Sequence, residues 1–220
     1  MIVRKRNKVD AKQTMLLVCA NEAEAIFFSQ LRKDCRYSNL TVVAANGITS
    51  LEKLLDYAGK LRNKGKYTSC WAVFGLDEVG ATRESVNDAE ELALKKKIKM
   101  LYFEPSFDLY FSLFFSAPNE LIEDIEKLKE NVKSHIDGYE LSSEYFLTKG
   151  LNLNFTLYPK LAEADKNARS YNEFVSFDRG YDVTSLPLFF DDLKEVSGTA
   201  IPNAIEELRS AEVRHKTVVD

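Results

Sequence analysis

Carboxylates stand at two loop starts in this sequence, each directly after a short apolar run. Glu22 and Glu24 follow TMLLVC, Thr14 to Cys19, and Asp77 and Glu78 follow CWAVF, Cys70 to Phe74, in the order GLDE. In an open parallel sheet ligands bind outside the carboxyl ends of the strands, so acids at these points are placed for chemistry. Carboxylates converging from two adjacent strand ends are what Mg²⁺ requires, because a hard cation takes oxygen ligands and keeps several waters and a substrate phosphate. The reaction such a site would support is phosphoryl transfer. Its catalytic carboxylates would be Glu22, Glu24 and Asp77, and its metal ligands Glu24, Asp77 and Glu78. A cofactor is expected only if the site is active, and it would then be Mg²⁺. The plainer reading of Glu22, Glu24 and Glu78 is that of solvated acids in the first turn of a helix, where the dipole favours them.

Other chemistries start with little. Cys19, Cys35 and Cys70 show no C-x-x-C spacing, and His135 and His215 are far apart, so thiolate or imidazole metal sites and a Ser-His-Asp apparatus are not indicated. A reducing, cytoplasmic home is expected. The formal charge of −4 argues against a generally basic nucleic-acid surface but leaves room for a local patch. Such a patch is visible at the start of the chain, where Arg4, Lys5, Arg6, Lys8 and Lys12 form a basic arm. It reads either as a phosphate-contacting tail or as a solubilising end. The apolar runs are too short to cross a bilayer and the basic start lacks a signal-type core, so neither membrane nor secretory placement is expected.

The elements that would position these residues follow from period. Apolar runs at Thr14 to Cys19, Leu40 to Ala45, Cys70 to Phe74 and Ile98 to Phe103 have the length of buried strands. Between them, helical spacing runs over Glu22 to Lys33, from Ser50 through Leu61, and over Glu84 to Lys96. The expected fold is α/β, a parallel sheet of about four strands flanked by helices. SFDLYFSLFF reads as a buried helix, Asn119 to His135 as a partly solvated one, Leu161 to Phe174 and Thr184 to Val196 as two more, and the tail after Ser197 as one short helix. Most of the 14 Phe and 10 Tyr fall in apolar runs and are expected in the core, with base stacking as the other reading. Three segments are expected: a basic arm over 1–13, an α/β core over 14–118, and a mainly helical extension over 119–220 packed on it.

With these residues in view, LLVCANEAEAIFFSQL resembles the opening of RloB-like proteins, which usually reads strand, C-E-G-x-T-E-x-x-Y-F. WAVFGLDEV is similar to the family's V-F-D-x-D segment. MLYFEPSFDLYFSLFF is similar to its S-N-P-x-F-E-L-W-L-L-L-H-F, and VTSLPLFFDDL more loosely to a later segment. The resemblance spans most of residues 14 to 195 and includes the basic start. It implies a Toprim-like fold, related to primases, topoisomerases and nucleases, and an association with restriction and phage-defence loci.

The departures fall on the chemistry. Ala20 stands where the family carries an acid, Asn21 replaces its glycine, Ala23 its hydroxyl residue, and Gly75 the first Asp of D-x-D. Asp77 and Glu24 survive, Asp108 replaces the acid after the Phe, and Phe114 occupies the position of the family histidine. The resemblance therefore implies a retained fold with a degenerate site, acting by binding nucleic acid or a defence-system partner protein. Two other outcomes stay open: an active Mg²⁺-dependent nuclease using displaced carboxylates, and a small-molecule-binding or interaction domain. If Ala20 and Gly75 are exposed strand ends, Ala20→Glu with Gly75→Asp is expected to restore metal binding.

Overall fold

The computed structural model describes residues 13–197. Four strands, β1 (Met15–Cys19), β2 (Leu40–Ala44), β3 (Ser69–Gly75) and β4 (Lys99–Phe103), form one sheet in the order β2-β1-β3-β4. All three pairings are parallel, with Leu17 opposite Val42 and Trp71, and Val73 opposite Leu101. The strands are continuous apolar runs because both faces are covered, and the period of two splits them cleanly. Met15, Leu17, Trp71, Val73, Leu101 and Phe103 enter one core. Leu16, Val18, Cys70, Ala72, Phe74 and Tyr102 enter the other.

Chain direction decides which helix covers which face. The step from β1 to β2 runs one way across the sheet, and the steps from β2 to β3 and from β3 to β4 run the other way. Crossovers of one hand then put their helices on opposite faces. Accordingly α1 (Glu22–Asp34) buries Phe27, Phe28 and Leu31 in the first core. The second core is closed by α2 (Leu51–Gly65) through Leu54, Leu55 and Ala58, and by α3 (Arg83–Lys96) through Val86 and Ala93.

The three helices end alike. Tyr37, Tyr67 and Ile98 each donate an N–H five residues back, to Arg32, Arg62 and Ala93, at 2.9, 3.2 and 2.9 Å. This closure puts one residue in the left-handed region, and here those residues are Arg36, Lys66 and Lys97, with φ of 54°, 54° and 56°. Glycine is the usual occupant. A side chain there costs about 1 kcal/mol, and a cation beside a helix carboxyl end recovers about 0.3–1 kcal/mol.

The remaining helices are α4 (Asp108–Ser112), α5 (Ile125–His135), α6 (Ser143–Leu147), α7 (Leu153–Leu157), α8 (Leu161–Arg179) and α9 (Leu186–Ser197). Residues from each of them join the first core, so the C-terminal third covers the α1 face of the sheet. The buried helix expected in SFDLYFSLFF is α4, and its neighbourhood is an aromatic layer in which Phe107 stacks on Tyr110 at 5.4 Å and Phe27 meets Phe111 edge-on at 5.0 Å. Two expected helices change length. The one expected from Asn119 begins at Ile125, because Asp124 caps it through the N–H groups of Glu126 and Lys127, while the Ile122 N–H is taken by the Tyr171 hydroxyl at 3.0 Å. The one expected to end at Phe174 continues to Arg179, where Gly180 at φ 76° stops it. The C-terminal helix docks through Asp192, which accepts from Trp71 Nε1 and Ser69 Oγ, each at 3.1 Å, and pairs with Lys99 at 2.6 Å. The short helix expected in the tail lies outside the described residues.

Candidate functional site

The strand order reverses between β1 and β3, since β1 connects outward to β2 while β3 continues toward β4. The crevice at their carboxyl ends is where an open α/β sheet holds its ligands. Asn21 follows β1 there and Gly75 closes β3.

Asn21 is the N-cap of α1 and forms a reciprocal capping box. Its Oδ1 accepts from the Glu24 N–H at 2.9 Å, and Glu24 Oε2 accepts from the Asn21 N–H at 3.3 Å. The Asn21 amide also donates to Glu78 Oε1, and Glu78 Oε2 accepts from the Gly75 N–H at 2.9 Å. Glu78 thus folds back over the end of its own strand. Glu24 is fully buried, contrary to the solvated first-turn reading, and its Oε1 has no hydrogen-bond partner among the described residues. Its carboxyl lies close enough to that of Glu78 to feel its charge. Burial first, then the charge of Glu78, push the Glu24 carboxyl well above the ordinary range. Burial raises Glu78 as well, against its contact with Glu24 and the bond it accepts from the Gly75 N–H. The buried thiol of Cys19 is pushed up by burial and then by both acids.

A second pair lies beside the first. Asp108, buried at the start of α4, accepts from Ser106 Oγ at 2.9 Å through one oxygen and from the Tyr139 hydroxyl at 2.8 Å through the other. Asp77 is exposed as a residue, yet its carboxylate turns inward, with Oδ1 2.7 Å from where a Cβ on Gly75 would stand. Desolvation raises it, and the charge of Asp108 raises it further. Lys129 of α5 is a cation facing this pair, raised chiefly by its bond to Glu126 and in part by Asp108 and Asp77.

The structure therefore brings Glu24, Asp77 and Glu78 into one electrostatic cluster with Asp108. Glu22 points elsewhere: it is exposed, and its Oε2 accepts from Ser143 Oγ at 3.1 Å. Arg4, Lys5, Arg6 and Lys8 lie outside the described residues. Ala20 and Gly75 are both buried, so they are not the exposed strand ends that the restoring substitutions require. A Cβ on Gly75 would fall 2.5 Å from the Phe107 nitrogen, closer than packed atoms approach. Phe114 is buried in the aromatic layer, 5.2 Å from the ring of Tyr110. Sequence reading passed over Asn21, Ser106 and Tyr139 as working parts. Only Asn21 carries a local signal, because N-x-x-E before an apolar run is the spelling of a capping box.

Mg²⁺ would need carboxylate oxygens free to turn toward one point. Here Glu24 and Glu78 face each other, both oxygens of Asp108 are engaged by hydroxyls, and no three His, Cys, Asp or Glu side chains among the described residues converge as a metal site. The donor set does not fit a Mg²⁺ centre.

Fold and site together define a doubly wound α/β protein with a buried acidic crevice at its topological switch point. More particularly, the chain belongs to the RloB-like protein family, whose model matches residues 15–208. Comparison with curated proteins and with solved structures gives no match. No helix among the described residues is long and apolar enough to cross a membrane.

Proposed function

We propose that this RloB-like chain is a Toprim-related component of a phage-defence or mobile-element system that keeps the fold, has given up metal-dependent hydrolysis, and acts by binding nucleic acid or a partner protein. The observation that supports this reading best is the Glu24–Glu78 contact. The Asn21 amide donates to Glu78 Oε1, the Gly75 N–H to Glu78 Oε2 and the Asn21 N–H to Glu24 Oε2, so three of the four oxygens of this pair are turned to donors of the protein rather than to a phosphate or a cation. Removing a principal metal ligand costs orders of magnitude in rate, and here a methyl at Ala20 and a hydrogen at Gly75 stand where two are expected.

Calorimetric titration of the purified chain with Mn²⁺, beside incubation with labelled DNA and RNA in Mg²⁺, tests the reading. Weak, unsaturated Mn²⁺ heats and intact nucleic acid are expected. Saturable Mn²⁺ binding that disappears in Glu24→Gln, together with cleavage, would replace it by the displaced-carboxylate nuclease. The charges of Asp77 and Asp108 felt at Glu78 are the observation that favours that second reading.

A further inference from the structure

The two ends of the sheet differ in charge. The carboxyl ends of the strands carry Glu22, Glu24, Asp77, Glu78 and Asp108. The opposite end, where α2 and α3 finish, carries Lys60, Arg62, Lys64 and Lys66 on one helix terminus and Lys95, Lys96 and Lys97 on the other. A groove of about 450 Å³ between these termini is lined by Lys60, Arg62, Lys95, Lys96 and Lys97 with Gly59 and Asn63, and by a single carboxylate, Asp56. That carboxylate is held by Lys96 at 2.8 Å, and Lys95 pairs with Glu91 at 2.6 Å. Lys60, Arg62, Lys64, Lys66 and Lys97 add further positive charge to this end. A second groove, of about 540 Å³, shares Arg62 and Lys97 with the first and adds Gln13, Lys99 and two carboxylates, Glu195 and the Asp192 that pairs with Lys99.

We infer that this end of the sheet is a sequence-independent contact surface for the phosphate backbone of a nucleic-acid duplex. The protein is acidic overall, so concentrating its cations at one end is a feature of placement rather than of composition. The groove between the helix termini offers no large apolar side chain to anchor a protein partner, and lysine stems with mobile ammonium groups suit a repeating row of phosphates. The left-handed positions Lys66 and Lys97 add a second argument. Glycine would close both helices without strain, and attraction to the helix dipole only partly offsets the strained backbone, so the cations themselves are the remaining reason for the choice. Gln13 lines the second groove, and the twelve residues before it carry five cations and one carboxylate, so the chain's basic start joins the body at this same end.

This surface is distinct from the acidic crevice, so its failure would leave the loss of hydrolysis untouched. The test is fluorescence anisotropy of a 20-base-pair labelled DNA duplex titrated with the full chain across a salt series, comparing wild type with the four-site variant Lys60→Gln, Lys64→Gln, Lys66→Gly, Lys97→Gly. Because both glycines relax a left-handed residue, this variant is expected to melt no lower than wild type. Its affinity should fall at least tenfold, and the slope of log K against log salt should shrink by about 0.9 for each phosphate that is no longer neutralised. A control set on the C-terminal helical side, Lys133→Gln, Lys149→Gln and Lys166→Gln, should leave the slope unchanged. The inference is overturned if the four-site variant binds the duplex with wild-type affinity and slope, if the control set weakens binding equally, or if the wild type shows no duplex binding at low salt. Tighter binding to phosphatidylserine vesicles than to the duplex would also overturn it. Should the four-site variant melt lower after all, Lys64→Gln and Lys97→Gly singly carry the same comparison.

Discussion

The carboxyl of Glu24 lies beside that of Glu78 between the ends of β1 and β3, with Asn21 bonded to both, and both carboxyls are raised above the ordinary glutamate range. Glu24 is fully buried, so burial raises it first and the charge of Glu78 second. The contact ties α1 to the loop after β3 through side chains that a metalloenzyme would keep ionised.

A pH dependence follows with a definite sign. Groups whose folded-state pKa lies above the unfolded value of about 4.3 bind more protons when folded, so stability falls as pH rises from there through the folded values. The melting temperature of the chain should therefore be higher near pH 5 than near pH 8. Glu24→Gln, which offers a donor toward Glu78 but cannot ionise, should flatten this slope and raise stability at pH 8. A steeper slope in the variant would contradict a Glu24 carboxyl raised by burial and by Glu78.

Gly75 supports a second prediction. A Cβ there meets the Phe107 nitrogen at 2.5 Å and the Ser106 carbonyl carbon at 3.0 Å, both backbone atoms that cannot swing aside. Gly75→Ala should lower stability by about 1–3 kcal/mol in urea titration, and Gly75→Asp by more. Neither should gain Mn²⁺ affinity. A folded Gly75→Asp that binds Mn²⁺ would show that the strand end has more freedom than this packing allows.

Much of this was legible in advance, and the exceptions have physical causes. The four strands stand out in sequence because burial on both faces makes each an unbroken apolar run, as in Met15–Cys19. Their parallel pairing follows from the intervening helices. Helix ends were harder, because the start of α5 depends on Asp124 capping and on a tyrosine hydroxyl 49 residues away. At the site, Glu24, Asp77 and Glu78 could be named from position alone. Their meaning could not, because a carboxylate reads the same whether it faces solvent, a metal or another carboxyl. Glu22 shows the limit most directly: two residues from Glu24, it turns to another side of the helix and reaches Ser143. Tyr139 and Ser106 reach Asp108 from 31 and 2 residues away, contacts that only the folded chain creates.

Asn172 is expected to be the most sensitive polar residue of the C-terminal third. Buried in α8, it accepts from the Val183 and Thr184 N–H groups at 3.1 and 3.2 Å and donates to the Thr184 carbonyl at 2.8 Å. These bonds hold the segment whose Thr184 bridges β4 at Phe103. Asn172→Ala would leave buried backbone groups without partners, a loss of about 1–3 kcal/mol for each. Urea unfolding should show a drop of at least about 2 kcal/mol on that scale. Asn172→Asp, which keeps the acceptor and loses the donor, should fall between the two.

The last prediction concerns the second acid pair. Desolvation is the first cause of the raised Asp77 carboxyl and the charge of Asp108 the second, so the two contributions separate by substitution. Asp108→Asn removes the charge while keeping a polar side chain beside Ser106 and Tyr139, and the Asp77 titration, followed by carboxyl carbon NMR, should move down without reaching the ordinary aspartate value. The part that remains measures desolvation. Tyr139→Phe acts differently, because it takes a hydroxyl from Asp108 Oδ1 and leaves that buried oxygen unpartnered, at a cost of about 1–3 kcal/mol. In the double variant Tyr139→Phe with Asp108→Asn the two losses should be less than additive, since each removes one end of the same bond. Strict additivity would mean that the 2.8 Å bond between Tyr139 and Asp108 contributes nothing to the folded state, and an unmoved Asp77 titration in Asp108→Asn would mean that the two carboxylates do not sense each other.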